Sequence, residues 1–149
     1  VITLPAGAVP AHGLDGGVTA FTTGRATGSF GLGSSEPVES VMARWGALRH
    51  ALAAAGVRRL ATAHQVHGRT VVRHGGGWHG WLRGDDADGH VTNVPGTALA
   101  VTVADCTPVL VSHPAGAIAA LHAGWRGTAA GILNEGLDAL EALGYPAVE

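Results

Sequence analysis

Three residues of this sequence could share one ion: His67, Cys106 and His122, each expected where a strand gives way to a turn beside Gly68, Pro108 or Gly124. Strand ends hold a side chain rigidly while leaving it open to a cleft. Two imidazoles and one thiolate are a good donor set for zinc, which accepts nitrogen and sulfur in a tetrahedron. With three protein ligands the ion keeps its fourth position for water or substrate. The three residues lie far apart along the chain, so no short spacing motif supports the site, and a lone cysteine is usually a small core residue. Both readings stand on the residues alone.

Their neighbours extend the chemistry. Asp105 precedes Cys106 inside an otherwise apolar run and needs a partner. It reads as an outer carboxylate that orients a bound histidine or holds Arg126, or equally as a structural ion pair or turn cap. Gly124-Trp125-Arg126-Gly127-Thr128 leads into the last helix, where free amides, the helix dipole and a guanidinium would suit an anion such as phosphate. An ordinary glycine turn with Arg126 paired to a carboxylate explains the same residues. Asp85, Asp86 and Asp88 sit in a glycine-rich turn and read mainly as solvated; Asp88, which begins the next strand, is the best placed of them for a site or structural role. Trp78 and Trp81 either form a stacking surface for a base or pack their own loop.

The elements that must position these groups follow from periodicity. Residues 1–17 read as an irregular arm, Val18 to Thr23 as a short strand and Gly24 to Ser35 as a loop. Val38, Val41, Met42, Trp45, Leu48 and Leu52 recur at helical spacing, with Ser34 or Ser35 as the expected cap and Gly56 as the stop. Leu60 to Val66 and Arg69 to His74 are expected strands joined around His67, and Gly75 to Trp81 is an expected loop. His90 to Thr92, Thr97 to Ala104, Val109 to Ser112 and Ala117 to Leu121 are further strands, separated by turn residues. A final helix, capped by Thr128, carries Ile132, Leu133, Leu137, Leu140 and Leu143 on one face. The order predicts a mixed α/β (α+β) fold, a layered β-sheet core with flanking helices.

Composition narrows the function. At 149 residues and 46% hydrophobic content there is room for one domain with a proper core, over residues 1–149. Only 13% of residues are charged and the net charge is -2, which gives no basic field for nucleic acid or an acidic membrane. The most apolar run, Val91 to Val111, is broken by Asn93, Pro95, Asp105 and Pro108, so no membrane span is expected. The single cysteine allows no internal disulfide and fits a reducing compartment, so a cytoplasmic protein acting on small molecules is expected.

Gln65-Val66-His67-Gly68, Asp86-Ala87-Asp88 with Val91-Thr92, Pro95-Gly96, Ala104-Asp105-Cys106 with Pro108-Val109-Leu110, and His122-Ala123-Gly124-Trp125-Arg126-Gly127 resemble, in order and spacing, the YfiH-like laccase-domain family. The likeness covers roughly Leu60 to Gly144. It implies a YfiH/CNF1-like fold in which His67, Cys106 and His122 bind zinc, with copper also reported for the family. It further implies purine nucleoside phosphorylase activity on adenosine, inosine and methylthioadenosine, with adenosine deaminase activity. Nucleoside and phosphate would then be the partners. Arg126 and Asp105 carry over as catalytic residues, and Arg49, Gln65, Gly124 and Gly127 as substrate-binding ones. The older family label is polyphenol oxidase, but a multicopper oxidase holds several coppers on many histidines, often as His-x-His pairs, and this sequence has no such pair.

The sequence departs from the family pattern at Gly31-Leu32-Gly33, where Asn-Leu-Gly is usual, and at Leu48-Arg49, where Asn-Arg is usual. Family members also continue past Glu149, so the domain is expected to lack its C-terminal part. Two other readings use the same residues. One is a metal-free hydrolase with Cys106 as nucleophile and His67 or His122 as its base. The other is an inactive domain with a residual metal site.

Overall fold

The computed structural model describes residues 2–147. Helix α1 (Val38–Ala54) buries Val41, Trp45, Leu48 and Leu52, the stripe expected from their spacing, while Val38 and Met42 lie outside it and are exposed. Pro37 precedes the first turn and no side chain caps it; Ser34 and Ser35 sit in the loop before, and Glu36 turns back to accept from the Ser29 amide and to pair with Arg44. The expected serine cap is therefore absent, because proline's fixed φ already starts the helix. At the other end Gly56 is left-handed, its amide bonds Ala53 and the Val57 amide bonds Leu52, a Schellman stop.

The strands are β1 (Ala8–Pro10), β2 (Phe21–Thr23), β3 (Arg59–Ala63), β4 (Val71–Arg73), β5 (Gly80–Gly84), β6 (Gly89–Thr92), β7 (Thr97–Leu99), β8 (Thr107–Ser112) and β9 (Ile118–Ala123). β1 and β2 pair as an antiparallel ribbon, so part of the expected irregular arm is strand; Val1 lies outside the described residues. A three-stranded sheet has the order β5-β3-β7, all parallel, and a four-stranded sheet the order β4-β6-β9-β8. β5 falls across the end of the expected Gly75–Trp81 loop. Its glycines hid it, and its place beside β3 is set by the Trp81 indole, which packs on Trp45 at 5.0 Å and donates to Thr62 Oγ1 at 2.8 Å. Trp78 closes its own turn onto the Gly75 carbonyl. β3 and β7 are both shorter than expected, because the chain after each one leaves the ladder to build the site.

The last expected helix is two. α2 (Trp125–Ala130) starts three residues before Thr128, and Gly131, at φ 91°, breaks it from α3 (Ile132–Ala142). One core forms between α3 and the four-stranded sheet, around Val91, Ala119, Leu121, Ile132 and Leu140. A second forms between α1 and the three-stranded sheet, around Trp45, Leu48, Leu52 and Leu60. Gly136 permits the first: a Cβ there would lie 2.6 Å from Leu121 Cδ1. No described helix is long and apolar enough to cross a membrane.

Candidate metal centre

Sheet register brings the site together. β9 runs antiparallel to both of its neighbours, with Gly89 opposite Leu121 and Thr107 opposite Ala123. The starts of β6 and β8 therefore meet the end of β9 at one edge. That edge holds Asp88, Cys106 and His122.

Asp88 is fully buried and its two oxygens accept four bonds. Its Oδ1 accepts from His122 Nδ1 at 2.8 Å and from the His67 amide at 2.9 Å; its Oδ2 accepts from the Val66 and Gly68 amides at 3.2 and 2.8 Å. Burial alone would push its carboxyl up, but the His122 ring and the three amides together outweigh that and hold it below the ordinary carboxylate range. As an ionised acceptor it makes Nδ1 of His122 the donor, which leaves the lone pair on Nε2 free for a metal.

The same carboxylate explains His67. Wrapping three successive amides around Asp88 ends β3 at Ala63 and drives His67 to φ 60°, a left-handed conformation that costs a non-glycine residue on the order of 1–3 kcal/mol. The ring then stands 4.8 Å from that of His122. The ligand atoms of His67, Cys106 and His122 all lie within 4.8 Å of one another. Tetrahedral bonds of about 2.0–2.3 Å place donors about 3.5 Å apart, so a small inward movement of the side chains closes this set on one ion. His122 is buried, Cys106 half-buried and His67 exposed, so the cluster is open to solvent on the His67 side.

Glycines make the approach possible. A Cβ on Gly124 would stand 3.0 Å from both Cys106 Sγ and His67 Cδ2, and one on Gly127 would stand 2.6 Å from the Gly68 carbonyl oxygen. Both positions, implied by the resemblance to bind substrate, have a packing reason to be glycine: they let α2 press against the His67 loop.

The open side is a cavity of about 240 Å³ lined by His67, Asp105, Cys106, Trp125 and Arg126. Asp105 is exposed there, 3.8 Å from Cys106 Sγ. It neither orients a histidine nor forms an ion pair with Arg126 among the described residues; the orienting role belongs to Asp88. The Arg126 guanidinium lies 5.3 Å from the Trp125 ring centre, a cation–π contact that fixes its direction. α2 is only six residues long, too short for the helix dipole expected to favour an anion, and the Arg126 side chain is the cation on the cavity wall. Burial pushes the Cys106 thiol up, and the Asp105 carboxylate adds to it.

Two residues expected to bind substrate lie elsewhere. Arg49 is on the exposed side of α1, with Nη2 4.0 Å from the position a Cβ on Gly80 would take, and is not part of the cavity wall. Gln65 spends its amide on the segment after β7: Nε2 donates to the Thr102 carbonyl at 2.8 Å, and Oε1 accepts from the Thr102 amide at 2.7 Å and its hydroxyl at 3.1 Å. It and Gly31–Gly33 line a separate cavity of about 160 Å³ floored by Trp45 and Trp81. Asp86 pairs with His64 at the surface, as a solvated carboxylate.

The multi-copper polyphenol oxidoreductase laccase family model matches residues 15–147. The Escherichia coli (strain K12) protein named purine nucleoside phosphorylase YfiH is 49% identical over 72 residues, which cover 48% of this chain and 28% of that one. The Streptomyces griseus protein named purine nucleoside phosphorylase ORF3 is 45% identical over 82 residues, 54% of this chain and 33% of that one. The crystal structure of YlmD from Geobacillus stearothermophilus superposes with a TM-score of 0.66 at 27% identity, over 93% of this chain and 53% of that one. The chain thus spans a third or less of these curated relatives and about half of the solved one. With the fold, the motifs and the match over residues 15–147 in agreement, the chain belongs to the YfiH-like, multi-copper polyphenol oxidoreductase laccase family.

Proposed function

We propose that this chain carries the metal-dependent centre of a purine nucleoside phosphorylase that cleaves adenosine, inosine and methylthioadenosine with phosphate and also deaminates adenosine. One observation carries the reading: two imidazoles and a thiolate converge on a point, one ring is held in its metal-binding tautomer by a buried carboxylate, and the open side faces a guanidinium. The names of the E. coli and S. griseus relatives supply the reaction class.

Zinc is the ion this N₂S set suits, copper the alternative, and when bound it supplies a Lewis acid that polarises an oxygen of substrate or water. Arg126, directed by Trp125, holds phosphate beside the ribose with its planar fork of donors. A phosphate oxygen then bonds to the ribose carbon while the glycosidic C–N bond breaks, and the purine leaves with the electron pair. Asp105, on the same cavity wall, accepts hydrogen bonds from ribose hydroxyls; in deamination it would take the proton of the water whose oxygen bonds to the purine C6, as the C6–N bond breaks and ammonia leaves.

The test is to incubate the zinc-loaded protein with adenosine, with and without phosphate, and separate the products. Adenine with ribose 1-phosphate reports phosphorolysis and inosine reports deamination. Formation of neither overturns the proposal.

A further inference from the structure

Among the described residues Trp125 is the most exposed of the large hydrophobic ones, with 76% of its surface open to solvent. It forms a wall of the cavity that also holds His67, Cys106, Asp105 and Arg126. That cavity, about 240 Å³, falls below the range of about 300–1,000 Å³ that encloses a whole small ligand. It has room for the reacting part of a substrate, and the remainder must lie against what stands at the rim. On the rim stands an aromatic face.

Resting on the nucleoside reading above, the geometry points to Trp125 as the stacking platform for the purine base. The guanidinium of Arg126 lies over the indole at 5.3 Å, and the ring itself lines the cavity beside His67, Cys106 and Asp105. The same contact ties recognition to reaction, since the ring that carries the base also directs the side chain that holds phosphate. Stacking tolerates any purine, because every base has a π face and no edge hydrogen bond is required. One site can thereby take adenosine, inosine and a 5′-thioether nucleoside. Asp105, the other polar wall group, is left to the sugar, and His67 to the ion.

The experiment is titration calorimetry on the zinc-loaded wild type, W125A and W125F, with adenosine and with ribose 1-phosphate, which lacks a base. W125A is expected to weaken adenosine binding by about tenfold, equivalent to about 1.4 kcal/mol, and to leave ribose 1-phosphate within about twofold. W125F, which keeps a π face, is expected to stay within about threefold of wild type, and zinc stoichiometry is expected to be equal in all three. Adenosine affinity unchanged in W125A overturns the platform and leaves the nucleoside reading intact. Equal losses for both ligands also overturn it, because the indole then acts only through Arg126. Unchanged affinity with an altered sedimentation coefficient marks Trp125 as a contact between copies and likewise overturns it. Failure of the wild type to bind adenosine overturns the nucleoside reading and the platform with it.

Discussion

Asp88 and His122 face each other across the β6–β9 pair at 2.8 Å, both buried, and the same Asp88 oxygen also takes the His67 amide. One carboxylate thus fixes the tautomer of one ligand and the backbone of another. Asp88→Asn substitutes an amide that has one acceptor where four donors converge. It should weaken zinc binding by about 10–100-fold and lower stability by about 2–4 kcal/mol. Competition titration against a chromophoric chelator and denaturant unfolding measure the two. Unchanged zinc affinity would show that Asp88 serves the loop alone.

The three ligands should act as a unit. Cys106→Ala or His122→Ala is expected to abolish stoichiometric zinc, and a chelator should do the same to the wild type and lower its melting temperature, because the ion binds only the folded arrangement. Nucleoside turnover should disappear in each case and return in the chelated wild type on adding zinc. Elemental analysis beside product assay checks this, and activity persisting in protein shown to hold no metal would sink the mechanism.

Glycines offer an opposed pair. Gly127→Ala puts a Cβ 2.6 Å from the Gly68 carbonyl oxygen, and backbone on both sides gives little room, so a loss of about 1–3 kcal/mol with weakened zinc binding is expected. Gly46→Ala, on the exposed side of α1 with nothing within 4 Å, should instead stabilise by about 0.5–1 kcal/mol. Thermal melts of both variants decide; equal shifts would contradict the close approach of α2.

Acid sensitivity should have a defined window. Burial, with help from neighbouring His74, pushes His90 down to about 4, against an ordinary value of 6.5, while Asp88 opposes the shift. Between those values the unfolded chain takes up a proton that the fold refuses, so stability falls as pH drops from 6.5 to 4, by up to about 3 kcal/mol. Asp88 adds to this lower down: its stabilisation is present above 3.8 and disappears as pH falls through its depressed folded value. His90→Asn, which keeps an acceptor toward His74 Nε2, now at 3.0 Å, should flatten the upper window. Urea unfolding at pH 7, 5.5 and 4.5 measures it, and parallel slopes for variant and wild type would refute the assignment.

Local pattern was sufficient wherever a signal repeats or a type is chemically scarce. The α1 stripe, Gly56 and the strands around β6, β8 and β9 were legible because helical period and turn residues mark themselves; His67, Cys106 and His122 offered a donor set by residue type, but no local spacing distinguished it from a core cysteine and ordinary histidines, and the family resemblance carried it. Strand β5 was not, since glycine and tryptophan carry no alternation and only pairing with β3 makes it a strand. Gln65 and Arg49 were carried over as substrate ligands, yet Gln65 bonds Thr102, which is distant in sequence, and Arg49 does not line the cavity beside the ligand cluster.

By itself, then, the sequence determined the mixed α/β composition of the chain and the donor atoms available to an ion. Only the tertiary structure decided which carboxylate serves them. Asp105 stands next to Cys106 but is exposed, whereas Asp88, distant from every ligand along the chain, is enclosed by the Val66, His67 and Gly68 amides and the His122 ring. The physical reason is sheet register: antiparallel pairing of β6 and β8 with β9 brings three strand ends to one edge, and a buried charge there gathers every donor within reach.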